Sequence, residues 1–197
     1  MTPAVVGAKA ILFDLDGTLV DTYELQEESY RRTFAELGLP FDAGRYSEAF
    51  GLRLGAAMAQ LMGRPPTPNE LEDIRTTKAR NFAEVLRSGV RTLPLSAVLC
   101  ALQGTTRTAL VTSASRSSVS LLLAALGWED LFDVVVVGDD VTKGKPHSEP
   151  YVEALRRLGL DGADCVAFED SEVGARSAKG AGIAVVMVKP PSDPTHR

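Results

Sequence analysis

Asp14 and Asp16 stand one residue apart at the end of the apolar run Ala10-Ile11-Leu12-Phe13, and Gly17 follows them. Two carboxylates this close repel unless a cation lies between them or one keeps its proton. Further along come a hydroxyl run, Thr112-Ser113-Ala114-Ser115, a lysine loop, Lys143-Gly144-Lys145-Pro146, and a second acidic pair, Glu169-Asp170. Together they suit phosphoryl transfer. A carboxylate can attack phosphorus and form an aspartyl-phosphate, dividing one hard step into two. Nucleophile and phosphate are both anionic, so a divalent cation must screen their approach. Mg2+ takes oxygen ligands; Asp14 and Asp170 can supply carboxylates, and a main-chain carbonyl can add a further oxygen. Ser113 can donate a hydrogen bond to a phosphate oxygen. The N–H groups of Ala114 and Ser115 point the same way if a helix starts there. The Lys145 ammonium can offset the charge of the nucleophile and the phosphoryl group. Asp16 is then free to protonate the leaving oxygen and later activate water. The plain alternative for the first pair is a capped turn, since Asp-Gly is a common turn signal.

These residues meet only if a fold brings them to one edge. The run at 10–13 reads as a buried strand, with Asp14 at its C-terminal end. Side chains alternate along a strand, so Asp14 and Asp16 can share a side of that end. Residues 22–90 then read as helices without a convincing strand. Tyr30, Phe34 and Leu37 recur at helical spacing up to Gly38. Leu54, Met58 and Leu61 mark a second helix that ends near Gly63-Arg64-Pro65-Pro66. Thr67-Pro68-Asn69-Glu70 looks like a capping box opening a third helix, which carries Leu71, Ile74, Phe82 and Leu86. From there the pattern alternates. Helices are expected at 96–102, 117–126, 150–158 and 173–179, and strands at 108–112, 134–137, 165–168 and 183–188. Such alternation implies a parallel sheet, whose strand ends collect ligands on one edge. The expected class is α/β: a Rossmann-like parallel sheet, residues 1–21 and 91–197, with a small α-helical cap, residues 22–90, inserted after the first strand. The tail 189–197, rich in proline and polar residues, is expected to be loose.

The 197 residues suit one domain with a modest insertion, and 45% hydrophobic content supports a packed core. A net charge of -5 argues against a general nucleic-acid footprint. Local lysines can still bind a small phosphorylated metabolite. Cys100 and Cys165, each within an apolar element, read as two buried free thiols rather than a disulfide. Residues 1–8 lack a signal peptide's charged start and apolar core. No apolar run reaches membrane-spanning length. A cytoplasmic protein without membrane contact is expected, a monomer or weak homodimer.

The motifs resemble those of the haloacid dehalogenase-like superfamily. Asp14-Leu15-Asp16-Gly17-Thr18 matches its first motif, Ser113 its second, Gly144-Lys145-Pro146 its third and Glu169-Asp170 its fourth. The resemblance covers nearly the whole chain. It is nearest to the branch with a helical cap after the first strand, which includes sugar-phosphate phosphatases and beta-phosphoglucomutase. It implies that Asp14 is the nucleophile and Asp16 the general acid/base, which also lends a backbone carbonyl to Mg2+. By the same resemblance Ser113 and Lys145 hold the phosphoryl group, Asp170 binds Mg2+, and Glu169 orients metal-bound water. Two departures stand out. Gln26 takes the place where beta-phosphoglucomutase has a cap histidine, which lowers the mutase reading. Relatives also continue past the strand at 183–188 into another strand and helix, so this core is expected to lack an edge element.

Other residues carry weaker signals. Lys78 lies on the apolar stripe of the third helix, where it either snorkels or reaches the cleft and touches substrate. Arg53, in Gly51-Leu52-Arg53, sits where capped relatives place specificity residues, or on the surface. Lys143 competes with Lys145, and the Gly-Lys-Pro context favours Lys145. Arg116 either contacts phosphate or begins a helix. His147 reads as a turn residue, Trp128 as packing, and Asp139 and Asp140 as loop or site acids. The function expected is a Mg2+-dependent phosphatase of small phosphate monoesters, sugar or polyol phosphates. A phosphosugar mutase is the alternative, and a non-catalytic phosphosugar-binding protein is a third reading. A dehalogenase would leave Asp16 and the Glu169-Asp170 pair without a purpose.

Overall fold

The computed structural model describes residues 7–189. The first six residues and the tail after Lys189 lie outside the described residues. The chain builds a five-stranded sheet in which all neighbours run parallel. In chain order its strands are β1 (Ala10–Phe13), β4 (Arg107–Val111), β5 (Val134–Val136), β6 (Cys165–Glu169) and β7 (Ala184–Met187). They stand in the order β5-β4-β1-β6-β7, so β1 is central. Phe13 is in register with Leu110 on one side and Phe168 on the other, and the C-terminal ends therefore fall on one edge.

Alternation along β1 divides the core. Ile11 and Phe13 face a cluster with Leu110, Val166, Val119, Leu122 and Trp128. Ala10 and Leu12 face a second cluster with Ala109, Val111, Tyr151, Leu155 and Ala178. Helices α5 (Leu95–Leu102) and α6 (Arg116–Leu126) supply the first face, and α7 (Glu149–Leu158) and α8 (Glu172–Gly180) the second. Because β1 is buried on both faces, each of its four side chains removes apolar area from water, about 1.5–3 kcal/mol for a large one.

Between β1 and α5 lie α1 (Tyr23–Glu36), α2 (Ala43–Ala49), α3 (Leu54–Met62) and α4 (Pro68–Val85). They bury a third cluster of their own, Tyr30, Phe34, Tyr46, Met58, Leu61 and Ile74 among it. The capping box that opens α4 is present: Thr67 Oγ1 accepts from Glu70 N–H and Glu70 accepts from Thr67 N–H. The periodicity gave no sign of α2, which is seven residues long and buries only Tyr46 and Ala49. Nor did it show a short ribbon flanking the helices, in which β2 (Val20–Asp21) pairs antiparallel with β3 (Arg91–Thr92). Two-residue strands are too short to carry an alternating pattern.

Both cysteines are free, but the expectation that both are buried fails for Cys100. It occupies an exposed position of α5, a helix that buries only Ser96 and Leu99. Cys165 is buried in β6. Among the described residues no helix is long and apolar enough to cross a membrane.

Candidate active site

The hydrogen-bond ladder of β1 runs on into the site, since Asp14 N–H donates to Phe168 O at 3.0 Å. The chain then turns sharply, with three N–H groups, of Thr18, Leu19 and Val20, converging on Leu15 O. Gly17 makes this turn possible at φ +80°, and the Asp170 carboxylate lies where a side chain at 17 would be. Asp14 is almost wholly buried.

Lys145 reaches Asp14 from the loop ahead of α7. Its ammonium donates to Asp14 Oδ1 at 2.7 Å, Glu169 Oε1 at 2.6 Å and Val111 O at 2.9 Å, which uses all three N–H bonds. Burial opposes its charge, yet Asp14 and Glu169 together hold its pKa above the usual lysine value. The loop is tied down: Glu149 accepts from the N–H groups of Thr142 and Lys143, and Ser177 donates to His147 O. Lys143 is exposed on this loop, and His147 accepts from Glu149 N–H as a turn residue.

Carboxylate oxygens of Asp14, Glu169 and Asp170 lie within 4.8 Å of one another. Burial pushes Asp170 up to about 8, and the charges of Asp14 and Glu169 add to the rise. Burial likewise pushes Glu169 up to about 7, against the lowering effect of Lys145. Glu169 Oε2 is buried and accepts no hydrogen bond. A crowded, all-oxygen, partly orphaned set of this kind fits a hard divalent cation such as Mg2+. The Asp16 carboxylate lies outside that trio and accepts from the Thr22 hydroxyl. Burial raises its pKa to about 6, with Asp14 adding to the rise while Thr22 and Lys78 oppose it. Near neutrality such a group can both give and take a proton.

Above this edge a cavity is lined from the sheet side by Asp14, Asp16, Ser113, Ala114, Ser115, Lys145 and Asp170. From the helices come Gln26, Tyr30, Tyr46, Arg75 and Lys78. Lys78 is buried, 4.6 Å from the Tyr30 ring centroid and 5.0 Å from that of Phe82. Its ammonium donates to Gln26 Oε1 at 2.8 Å, and burial lowers its pKa to about 8. Lys78 thus lines the cavity rather than snorkelling out.

The expected phosphate cradle is in part spoken for. Ala114 N–H, expected to face the phosphate, instead donates to Thr112 Oγ1 at 3.1 Å, because the threonine hydroxyl folds back over its own turn. Ser115 caps α6, and the first helical N–H, of Arg116, donates to Asp139 Oδ2 at 2.7 Å. The Arg116 side chain pairs with Asp140. Arg53 does not line the cavity that holds Asp14. Its guanidinium donates to Thr142 O at 2.7 Å beside an adjoining cleft, with its stem lying over Gly144. Sequence reasoning overlooked three residues here. Thr22 bonds Asp16, and Arg75 pairs with Asp139 at 3.0 Å across from helix to core loop. The third, Tyr151, donates to Glu169 at 2.5 Å. In the sequence Tyr151 is one more apolar position of an amphipathic helix, and nothing local reveals that its hydroxyl must find a buried partner.

Known proteins resemble this chain over most of its length. Protein CbbY of Rhodobacter capsulatus is 35% identical over 200 residues, covering 95% of this chain and 87% of that protein. A phosphorylated carbohydrates phosphatase of Thermotoga maritima is 34% identical over 181 residues, covering 89% of this chain and 82% of that protein. The crystal structure of a CbbY variant from Rhodobacter sphaeroides in complex with xylulose-(1,5)bisphosphate superposes with a TM-score of 0.83 at 33% identity, covering 92% of this chain and 86% of that one. A profile of haloacid dehalogenase-like hydrolases matches residues 11–188, from the first buried strand to the end of the last, and the chain belongs to that family.

Proposed function

We propose that this hydrolase is a Mg2+-dependent phosphatase that releases phosphate from small sugar or polyol phosphates through an aspartyl-phosphate. The observation that carries this reading is the three-way bonding of Lys145 to Asp14, Glu169 and the Val111 carbonyl, which fixes a buried carboxylate at the mouth of the cavity. Asp14 attacks phosphorus as the bond to the sugar oxygen breaks, and Asp16 gives that oxygen its proton. Asp16 then takes a proton from the water that attacks the aspartyl-phosphate, releasing phosphate and restoring Asp14. Lys145 stays charged and offsets the negative charge that collects between Asp14 and the phosphoryl group. Ser113 and Ser115 line the phosphate side, and Lys78 and Gln26 the sugar side. Mg2+, held by Asp14, Asp170 and the Asp16 carbonyl with Glu169 beside it, would neutralise the phosphate oxygens.

Residues 22–90 act as a cap over residues 1–21 and 91–197. In its closed position the cap shields the aspartyl-phosphate from bulk water. The curated phosphatase relative and the xylulose bisphosphate complex support a sugar phosphate as substrate. A mutase is disfavoured because Gln26, which lines the same cavity as Asp16, carries no titratable proton. Phosphate release across a panel of sugar phosphates, with Mg2+ or with a chelator, tests the reading. Activity is expected only with Mg2+, and Asp14→Asn is expected to abolish it; full activity in Asp14→Asn would end the nucleophile assignment.

A further inference from the structure

We propose that Tyr151 is a positioning residue for the reaction: its hydroxyl fixes the Glu169 carboxylate, and through it the Lys145 ammonium on Asp14. The inference rests on the phosphatase reading for its kinetic consequence, but its geometry stands alone. Tyr151 is fully buried on α7, beneath the sheet edge. A buried phenol needs a hydrogen-bond partner. This one takes a carboxylate oxygen of the site, Glu169 Oε1, at 2.5 Å, a charge-assisted bond.

The same Oε1 accepts from Lys145 at 2.6 Å. Two donors from different directions fix the rotation of the carboxylate. They also leave Oε2 as the oxygen without a protein partner. With the hydroxyl gone, Lys145 alone would hold Glu169, and the carboxylate could turn about that single bond. The Tyr151 ring adds a second restraint, since the Lys145 ammonium lies 5.4 Å from its centroid. Helix and loop move as one piece, because Glu149 at the start of α7 binds two N–H groups of the lysine loop. Tyr151 therefore reaches the reacting carboxylate through three hydrogen bonds in series, by way of Glu169 and Lys145, without touching substrate.

Tyr151→Phe keeps the ring and the packing and removes one oxygen. Leu158→Val, buried on the same helix and the same face, serves as a purely structural comparison. Both variants are expected to melt below the wild type. Only Tyr151→Phe should lower kcat, by about tenfold or more at 1.36 kcal/mol per tenfold, with KM within about twofold. A second readout needs no turnover. The 15N–1H resonance of the Lys145 ammonium, assigned by its loss in Lys145→Met, should shift in Tyr151→Phe and stay in place in Leu158→Val. An unmoved resonance, or a moved one with unchanged kcat, overturns the proposal. An inactive wild type with a shifted resonance would instead overturn the phosphatase reading and leave the positioning of Lys145 standing.

Discussion

Asp139→Asn tests how the helical cap is held against the core. Arg75 on α4 pairs with Asp139 on the loop after β5 at 3.0 Å, and both side chains are 36% exposed. Asp139 also accepts from Arg116 N–H at 2.7 Å. Asparagine can keep that second bond through its one oxygen, and loses the charge and the acceptor that Arg75 uses. At this exposure an ion pair is worth about 0.5–1 kcal/mol, well below its Coulomb energy. Glu72, 3.6 Å from the Arg75 guanidinium, softens the loss further. An energy of that size lowers the closed-to-open ratio about two- to fivefold, at 1.36 kcal/mol per tenfold. On the proposal that the cap closes before chemistry, and stays mostly closed once substrate is bound, KM should rise by that factor while kcat holds. Steady-state phosphate release at low salt, for wild type, Arg75→Ala, Asp139→Asn and the double variant, reads the coupling directly. The cycle is needed because Arg75 also lines the cavity that holds Asp14. At about 1 M salt, where the Debye length is ~3 Å, the wild type should approach Asp139→Asn. Additive KM effects at low salt, or a difference that survives high salt, would refute the latch.

Two further outcomes are expected. Thr67→Ala breaks the capping box of α4 and should cost about 1 kcal/mol. That is a fall of about 2–4 °C in Tm for a chain of this size. The phosphate-release rate at 25 °C should be unchanged, as thermal unfolding and a parallel assay will show. Lys78→Met trades function for stability. Burial lowers the Lys78 pKa to about 8 from 10.5, so between those values the unfolded chain binds more protons than the folded one. Native stability then rises with pH across that window. The variant should be more stable than wild type at pH 7, by at most ~3 kcal/mol, and lose the advantage as pH nears 10.5. Urea unfolding at several pH values checks this; a gap that is flat with pH contradicts it.

The strands and most helices were legible because apolar period and punctuation agreed. Phe13 and Phe168 are the last apolar residues of buried strands, and Thr67 and Glu70 spell a helix start. The acids, the lysine and the serine were legible for a different reason: each follows a strand, and a parallel sheet collects strand ends. What stayed hidden depends on long-range geometry. Arg53 reads by position as a specificity residue or a surface one, and nothing local shows that its guanidinium finds a backbone carbonyl on the lysine loop. Tyr151 and Thr22 look like ordinary helix residues until the fold sets each against a carboxylate. Cys100 sits among apolar neighbours in sequence, yet its side of α5 meets solvent.

The short ribbon of β2 and β3 has a consequence for how such a protein can change over time. Val20 pairs with Thr92 and Asp21 with Arg91, and the last two are joined by an ion pair as well. The chain therefore leaves the sheet and returns to it at neighbouring points, about 4.5–5.5 Å apart for paired antiparallel residues. Any insert whose two ends meet at that spacing can replace residues 22–90 without displacing a strand. The helical segment is exchangeable, in evolution or by grafting, while the part of the chain that carries Asp14 and Lys145 is kept.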